Sequence, residues 1–459
     1  MDFNQRKVRI NKVTIQDFKS VANGSINFNV AEALRQGKPC VMGIYGQNGS
    51  GKTVIIEALS IFKCILSGKS IPNQHLETIS KGKDSCSLSV ELAIVADEHT
   101  DCIATYSCEL ARRKDPNSST TDPKSILAVI SESVKISGLF GGKTFRSQFI
   151  AETDENCKLI RPENKAALLY GKDNDTLRQL EKQKVLALYG SRSFIFSEQS
   201  IEALKNMGGD MLFGVIASIR LYAINKLFVI GEQTGSPLVI SFIREDERAG
   251  VAGQFHFRLD SKDVLSTEAL SIFMSLIPPL NSVLSSIIPG LTILCKSQKS
   301  SVDENDDQHE VELFSQRDEL GIFPFKHESL GIKKILSFIV MLIEAYNNPS
   351  FTLAIDELDS SIFEYLVGEL VSIMNVTGQG QLIFTSHNLR PLEMLEWNSI
   401  TFTTTNRYNR YSQIKTKKTN NLRDVYFRKI SIGSDETELY DGVSKNKIAQ
   451  EFRMARSDH

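Results

Sequence analysis

The feature that most constrains this chain is the run GQNGSGKT, Gly46 to Thr53, set between an apolar strand-like stretch, VMGIY, and an amphipathic helical one, VIIEALSIFKCIL. It matches G-x-x-x-x-G-K-[ST], and the flanks turn the pattern into a mechanism. Glycines let successive backbone N–H groups wrap a phosphate chain, and the N-terminus of the following helix adds its dipole. The spacing therefore predicts Gly46, Gln47, Asn48, Gly49, Ser50 and Gly51 around the phosphates. Lys52 is expected on the β- and γ-phosphates and the Thr53 hydroxyl on Mg²⁺.

Three further elements follow far downstream. FTLAIDE, 351 to 357, reads as a buried parallel strand ending in two carboxylates. Asp356 is placed to bind Mg²⁺ through water and Glu357 to polarise the attacking water; adjacent acids point in different directions and can serve the two roles separately. QLIFTSHN, 381 to 388, is another apolar strand, and a neutral His387 at its end can hydrogen-bond the γ-phosphate and help position the water. HESLGIKKILSFIVML, 327 to 342, opens a helix that Ser329 caps and whose start Gly331 leaves open to close backbone approach. That tip is an anion site lying well away from the P-loop in sequence. The inference is that it serves the nucleotide of a second subunit.

The rest of the chain supplies a scaffold. Val8 to Asp17 and Gly24 to Val30 alternate with period two, Val41 to Tyr45 is a short apolar strand, and Lys52 to Leu66 carries an apolar stripe at 55, 56, 59, 62, 65 and 66. Alternating runs from 86 to 152, broken by segments such as DPNSSTTDP, predict an antiparallel sheet. From about 162 to 230 the spacing is helical, interrupted by YGSRSFIFS. The stretch 236 to 315 mixes LVISFI and GQFHFRL with an apolar helix at 264 to 287 and an acidic run, VDENDDQHE, that reads as a solvated loop. After 328 the expectation is helix 329–346, strand 351–356, helix 361–375, strand 381–386 and strands near 399–404 and 411–416. No long heptad series is present. The fold class is α/β, in three parts: 1–200 with the P-loop and antiparallel lobe, a mainly helical insert over 201–325, and 326–459 with the remaining motifs and a tail.

Composition excludes several classes. With 41% hydrophobic and 24% charged residues the profile is that of a soluble globular protein, and a net charge of −2 gives no global pull towards nucleic acid or anionic membrane. The start lacks a secretory apolar run and the stretch Ile335 to Ala345 is too short to span a bilayer, so a cytoplasmic location with no membrane partner is expected. Seven cysteines, an odd number without a CxxC, read as buried free thiols.

With these elements in this order, the chain resembles the SMC/RecF/OLD branch of ABC-type ATPases over about 1–70 and 325–405. RINKVTIQDFKSVANGSINF is similar to the branch's opening hairpin, with Phe18, Lys19 and Ser20 as its turn. The resemblance implies an ABC-type head with ATP and Mg²⁺ as ligands, Ser329 and Gly331 in the signature motif, Asp359 in the D-loop and His387 as the switch histidine. ESLGIKK departs from the transporter motif LSGGQ. The Q-loop glutamine is left between Gln74 and Gln148, with Gln148 favoured. A compact chain with this signature and no long coil is most similar to the ATPases of anti-phage defence systems, such as PtuA of Septu and retron systems and AriA of PARIS.

That resemblance implies a slow, regulatory ATPase acting as a homo-oligomer through head-to-head dimers, of higher order in that group, and controlling a separate effector nuclease of HNH or TOPRIM type. The alternative is a RecF-like or SMC-like DNA-repair or DNA-binding ATPase. It draws on the densest cationic stretch, which holds Arg407, Arg410, Lys415, Lys417 and Lys418. A third reading, that the chain is itself a nuclease, is disfavoured because residues 405–459 are too few for a TOPRIM module and DETELYDG reads as a tail loop.

Overall fold

The computed structural model describes residues 6–96, 99–115, 125–153, 159–161, 190–206, 210–231, 239–245, 252–299, 308–318, 320–413, 421–432, 439 and 445–455. In chain order the first half contains β1 (Lys7–Phe18), β2 (Val21–Asn27), α1 (Val30–Arg35), β3 (Cys40–Tyr45), α2 (Lys52–Leu66), β4 (Ser85–Val95), β5 (Asp101–Lys114), β6 (Ser125–Phe140), β7 (Lys143–Thr153) and β8 (Leu159–Arg161). Then come α3 (Glu198–Asn206), α4 (Asp210–Asn225), β9 (Leu227–Ile230), β10 (Val239–Glu245), β11 (Ala252–Arg258), β12 (Asp263–Ser266), α5 (Thr267–Ile287), β13 (Leu291–Lys299), β14 (Gln308–Arg317) and β15 (Gly321–Pro324). The last third has α6 (Leu330–Asn347), β16 (Thr352–Ile355), α7 (Glu364–Thr377), β17 (Gln381–Thr385), α8 (Pro391–Met394), β18 (Ile400–Thr403), β19 (Tyr411–Ser412), α9 (Leu422–Ile432) and α10 (Lys445–Met454).

Two sheets organise the head. The antiparallel one runs β2-β1-β4-β5-β6-β7-β8, and its strands bury alternate residues, as Cys102, Ala104, Tyr106, Cys108 and Leu110 do on β5. The other runs β19-β18-β3-β17-β16-β9; β18, β3, β17, β16 and β9 pair in parallel, and β19 closes one edge antiparallel. Its central strands β16 and β17 are buried at every residue, the mark of a parallel sheet covered on both faces. One strand of this sheet, β9, comes from the segment read as the insert. Its four apolar residues, LFVI, are too short a run to show a period.

Between the sheets lies α2. The sequence stripe implies one buried face, yet Ala58 and Ile61, off the stripe, are as buried as Ile55 and Leu59. A single core joins the inner face of the antiparallel sheet, α2 and, through Ala354 and Ile383, the parallel sheet. The helix that follows the P-loop is therefore gripped from both sides. A second core on other residues of the parallel sheet takes in α5, α6, α7 and β13 and β14. Here α5 buries Ala269, Phe273, Ile277, Leu280 and Leu284, a helical stripe, despite being long and apolar enough to cross a membrane and carrying Pro278 and Pro279. The runs LVISFI and GQFHFRL form β10 and β11, an antiparallel pair, so helices and strands share the 201–325 segment.

The two ends of the head are stitched together. Arg9, fully buried on β1, donates to the carbonyls of Pro349 at 2.6 Å, Lys38 at 2.7 Å and Gln379, and burial pushes its pKa down to about 10. The Gln381 carboxamide accepts from the Ile10 N–H at 3.1 Å and donates to the Ile10 carbonyl at 2.8 Å. Among the described cysteines all are free thiols, with Cys86, Cys102 and Cys108 buried; Cys157 lies outside the described residues, as do Lys415, Lys417, Lys418, the 435–438 part of DETELYDG and most of the acidic run.

Candidate functional site

The P-loop leaves β3 at Tyr45 and is braced from β18 and β19. A Cβ on Gly46 would lie 1.7 Å from Thr403 Oγ1, so only glycine fits, and Gly51 is left-handed at φ 95° as it caps α2. Ser50 Oγ donates to the Gln47 carbonyl at 2.6 Å and meets Thr403 Oγ1, while the Tyr411 hydroxyl donates to the Gly51 carbonyl at 2.8 Å. Lys52 is buried and donates Nζ to the carbonyls of Gly46 and Gln47 at 2.9 and 3.0 Å. Burial lowers its pKa, opposed by the carboxylates of Asp356, Glu357 and Asp359. The ammonium is thus folded over the loop that contains the phosphate cradle.

Opposite it stand the two acids. Thr53 Oγ1 donates to Asp356 Oδ1 at 3.3 Å across 303 positions of sequence, and Thr385 Oγ1 donates to the same oxygen. The second oxygen, Asp356 Oδ2, is buried and has no hydrogen-bond partner. A buried carboxylate oxygen without a donor is costly, and a hard cation satisfies it. One carboxylate and one hydroxyl suit Mg²⁺, which keeps several waters and takes its remaining ligands from phosphate. Among the described residues no group of three or more His, Cys, Asp or Glu side chains could hold a metal by itself, so substrate oxygens would have to complete the set.

Glu357 follows in the left-handed region, φ 47°, a conformation costing a side-chain-bearing residue about 1–2 kcal/mol. Two bonds hold it there: its N–H donates to Thr385 Oγ1 at 2.8 Å, and its carbonyl accepts from Lys334 Nζ at 2.7 Å. Asp359 accepts from the backbone N–H groups of His387 at 3.1 Å and Asn388 at 2.9 Å, so its carboxylate shapes the loop that carries His387. His387 itself is exposed.

The helix tip is a different kind of surface. Ser329 caps α6 by accepting from the Ile332 N–H at 3.4 Å, and it is exposed, as is Leu330 beside it. A Cβ on Gly331 would come within 2.4 Å of the Ser361 carbonyl, so glycine lets the tip sit against the segment after the acids. Of the two glutamines weighed, Gln148 is exposed on β7, opposite Ile136 and four strands from β1. Gln74 contacts His75, whose Nδ1 lies 3.2 Å from Glu57 on α2. Gln74 is thus linked through His75 to the helix that follows the P-loop. Lys19, from the opening turn, pairs with the same Glu57.

Sequence reasoning passed over Thr385, Thr403 and Lys334. A signal existed for the last: Lys333 and Lys334 stand in the first turn of α6, where the helix dipole disfavours cations. Both are held by carbonyls, Lys333 by Lys326 at 2.5 Å and Lys334 by Glu357.

Two family models match the sequence: "AAA domain" over residues 12–208 and "AAA domain, putative AbiEii toxin, Type IV TA system" over 192–393. No curated protein matches it. Among solved structures, an Smc head bound to the C-winged helix domain of ScpA is similar at 11% identity and TM-score 0.44, covering 90% of this chain and 99% of that one. The SMC head domain from Thermotoga maritima is similar at 14% identity and TM-score 0.34, covering 89% and 100%. The recombination mediator RecF with ATP is similar at 11% identity and TM-score 0.37, also covering 89% and 100%. The braced P-loop, the parallel sheet and the antiparallel lobe over α2 make an α/β P-loop fold, and the two AAA models, each over less than half of the chain, agree with an ATPase domain.

Proposed function

We propose that the chain binds and hydrolyses ATP at a site completed by a second copy, and that this switch controls a separate toxic effector in an anti-phage defence system. The observation that carries the catalytic part is the Asp356 carboxylate: one oxygen on Thr53, the other buried and unsatisfied, facing a P-loop whose lysine is already in place. In this reading Gly46 to Gly51 cradle the phosphates, Lys52 neutralises them, and Thr53 and Asp356 hold Mg²⁺. Bound there, Mg²⁺ would offset charge developing on the phosphoryl oxygens. Glu357 orients and deprotonates the attacking water, and His387, on the loop shaped by Asp359, lies beside it. Ser329 and Gly331 close the site from the neighbour, which the exposure of the α6 tip supports. A phosphate gripped by both copies favours the closed pair, and hydrolysis removes that grip.

Sizing with and without ATP tests this part. The Glu357→Gln chain is expected to form a long-lived dimer with ATP; a chain that stays the same size with and without ATP removes the composite site. The defence role draws on the motif resemblance and on the toxin-system description of the second matched family. Its test is phage plating on cells carrying the gene with its neighbours. Equal plating with wild type and Lys52→Ala, or a replication and repair gene neighbourhood, rejects the defence reading.

A DNA-binding ATPase is the second reading. Arg407 stacks over Tyr408, which is exposed at the β18–β19 turn, and offers a contact point. Arg410 does not add to it, since its guanidinium is buried against the carbonyls of Thr404 and Ser20. Salt-dependent duplex binding by the purified protein would favour this alternative.

A further inference from the structure

A trough lies between α6, α7 and the C-terminal end of α5, with a volume of about 1040 Å³. Ile335, Ile339 and Leu342 of α6, Leu370 and Ile373 of α7, and Val283 of α5 line it. At its rim Phe363 and Tyr365 are 75% and 53% exposed. Contiguous apolar surface of this kind on a soluble chain marks an interaction site. From Gly331 to Asn347 the α6 wall is roughly 24 Å long at ~1.5 Å per residue. On the α7 side Glu369 lines the trough, Glu364 stands in the first turn of the same helix, and α7 carries no Lys or Arg.

The same chain carries a segment that fits. In α10, KNKIAQEFRM, Ile448 and Phe452 stand one turn apart on one face and are 41% and 75% exposed. Ten residues make a helix of roughly 15 Å, shorter than the trough. Its flanks are cationic, with Lys445, Lys447 and Arg453 against a single Glu451, so its charge complements α7. No α10 residue lines the trough, so the helix is not seated in the trough of its own chain.

We propose that α10 of one copy docks lengthwise in the trough of a second copy, Ile448 and Phe452 facing its apolar floor, and that the exchange is reciprocal. Two such contacts close a two-fold pair in the manner of a swapped element. The pair needs no nucleotide. It differs from the proposed ATP-dependent contact, although the two meet at the first turn of α6, where Ser329 and Gly331 also line the end of the trough.

Light scattering on the full-length chain without nucleotide tests this. Wild type is expected at twice the 51.3 kDa chain mass. Phe452→Glu, which spoils the helix, and Ile373→Glu, which spoils the trough, are each expected to weaken pairing at least tenfold; both positions are exposed, so folding is retained. Mixed, the two variants restore one good helix and one good trough, and a heterodimer is expected. Wild type running as a single chain overturns the proposal, as does either variant pairing like wild type. A mixture that stays monomeric also overturns it and points to docking within one chain. Lys52→Ala is expected to pair as wild type here, which separates failure of this contact from failure of the nucleotide-dependent one; loss of pairing in that variant overturns the independence claimed.

Discussion

The P-loop and the tip of α6 are both helix N-termini proposed to receive an anion, yet one is braced within the chain and the other is exposed. Around the P-loop, Thr403 meets Ser50, Tyr411 donates to the Gly51 carbonyl, Lys52 to those of Gly46 and Gln47, and Thr53 to Asp356, and the lysine is buried. At the α6 tip, Ser329, Leu330 and Phe363 face outward. The difference teaches where control can act. On the proposed function, a cradle preformed in the monomer would bind nucleotide without a partner, whereas the exposed tip would gain its ligand only when a neighbour presents one.

The contrast breaks most sharply at Glu357. Glu357→Gln is expected to lower hydrolysis by about 10²–10⁴-fold while ATP binding survives, as read by single-turnover kinetics; hydrolysis at the wild-type rate removes the residue from catalysis. Lys52→Ala strikes the braced half. It is expected to abolish calorimetric ATP binding and to cost about 10²–10³-fold in turnover. Ser329→Arg strikes the other half, and its ATP binding as a single chain should match wild type. Mixed with Lys52→Ala, it should recover about a quarter of wild-type turnover if random pairing rebuilds one good site in half the dimers. No recovery would mean that the tip does not act across the interface.

Smaller effects sharpen the account of the supports. Thr385→Val leaves the Glu357 N–H and an Asp356 oxygen without their shared hydroxyl, and a loss of about 1–3 kcal/mol in denaturant unfolding is expected. Smallest is a pH effect at Glu57. Burial raises its carboxyl, but the hydrogen bonds and charges of His75 and Lys19 outweigh this and leave its pKa lowered. A depressed carboxylate stabilises above its unfolded value and loses that contribution as pH falls through the folded one. The stability advantage of wild type over Glu57→Gln should therefore shrink below about pH 4.3, the ordinary glutamate value; an advantage that grows there would reverse the sign.

Much of this was legible because it is periodic or local. The β1 and β5 alternation, the P-loop with its two flanks and the apolar strands ending at Asp356 and Thr385 each declare themselves within a few residues. What stayed hidden depends on distant chain segments meeting. Ala58 and Ile61 fall outside the apolar stripe, and their burial cannot be read from one segment because the second sheet over α2 comes from distant residues. Thr385 looks like any strand threonine until it bridges two acids 28 and 29 positions away. Spacing does not identify the Q-loop glutamine, because it says nothing about which strand of the lobe approaches α2.

Arg9 and Gln381 have a consequence beyond stability. Together they bind the first strand to a segment up to 371 positions later, so the catalytic elements are held as if on a closed ring. Whatever lies between enters and leaves at fixed anchor points, and doubling the length of such a loop costs only about 0.6 kcal/mol in closure entropy. Chains with this fastening can trade one middle for another of quite different size, acquiring new partners by insertion while the chemistry at the ring's seam is left undisturbed.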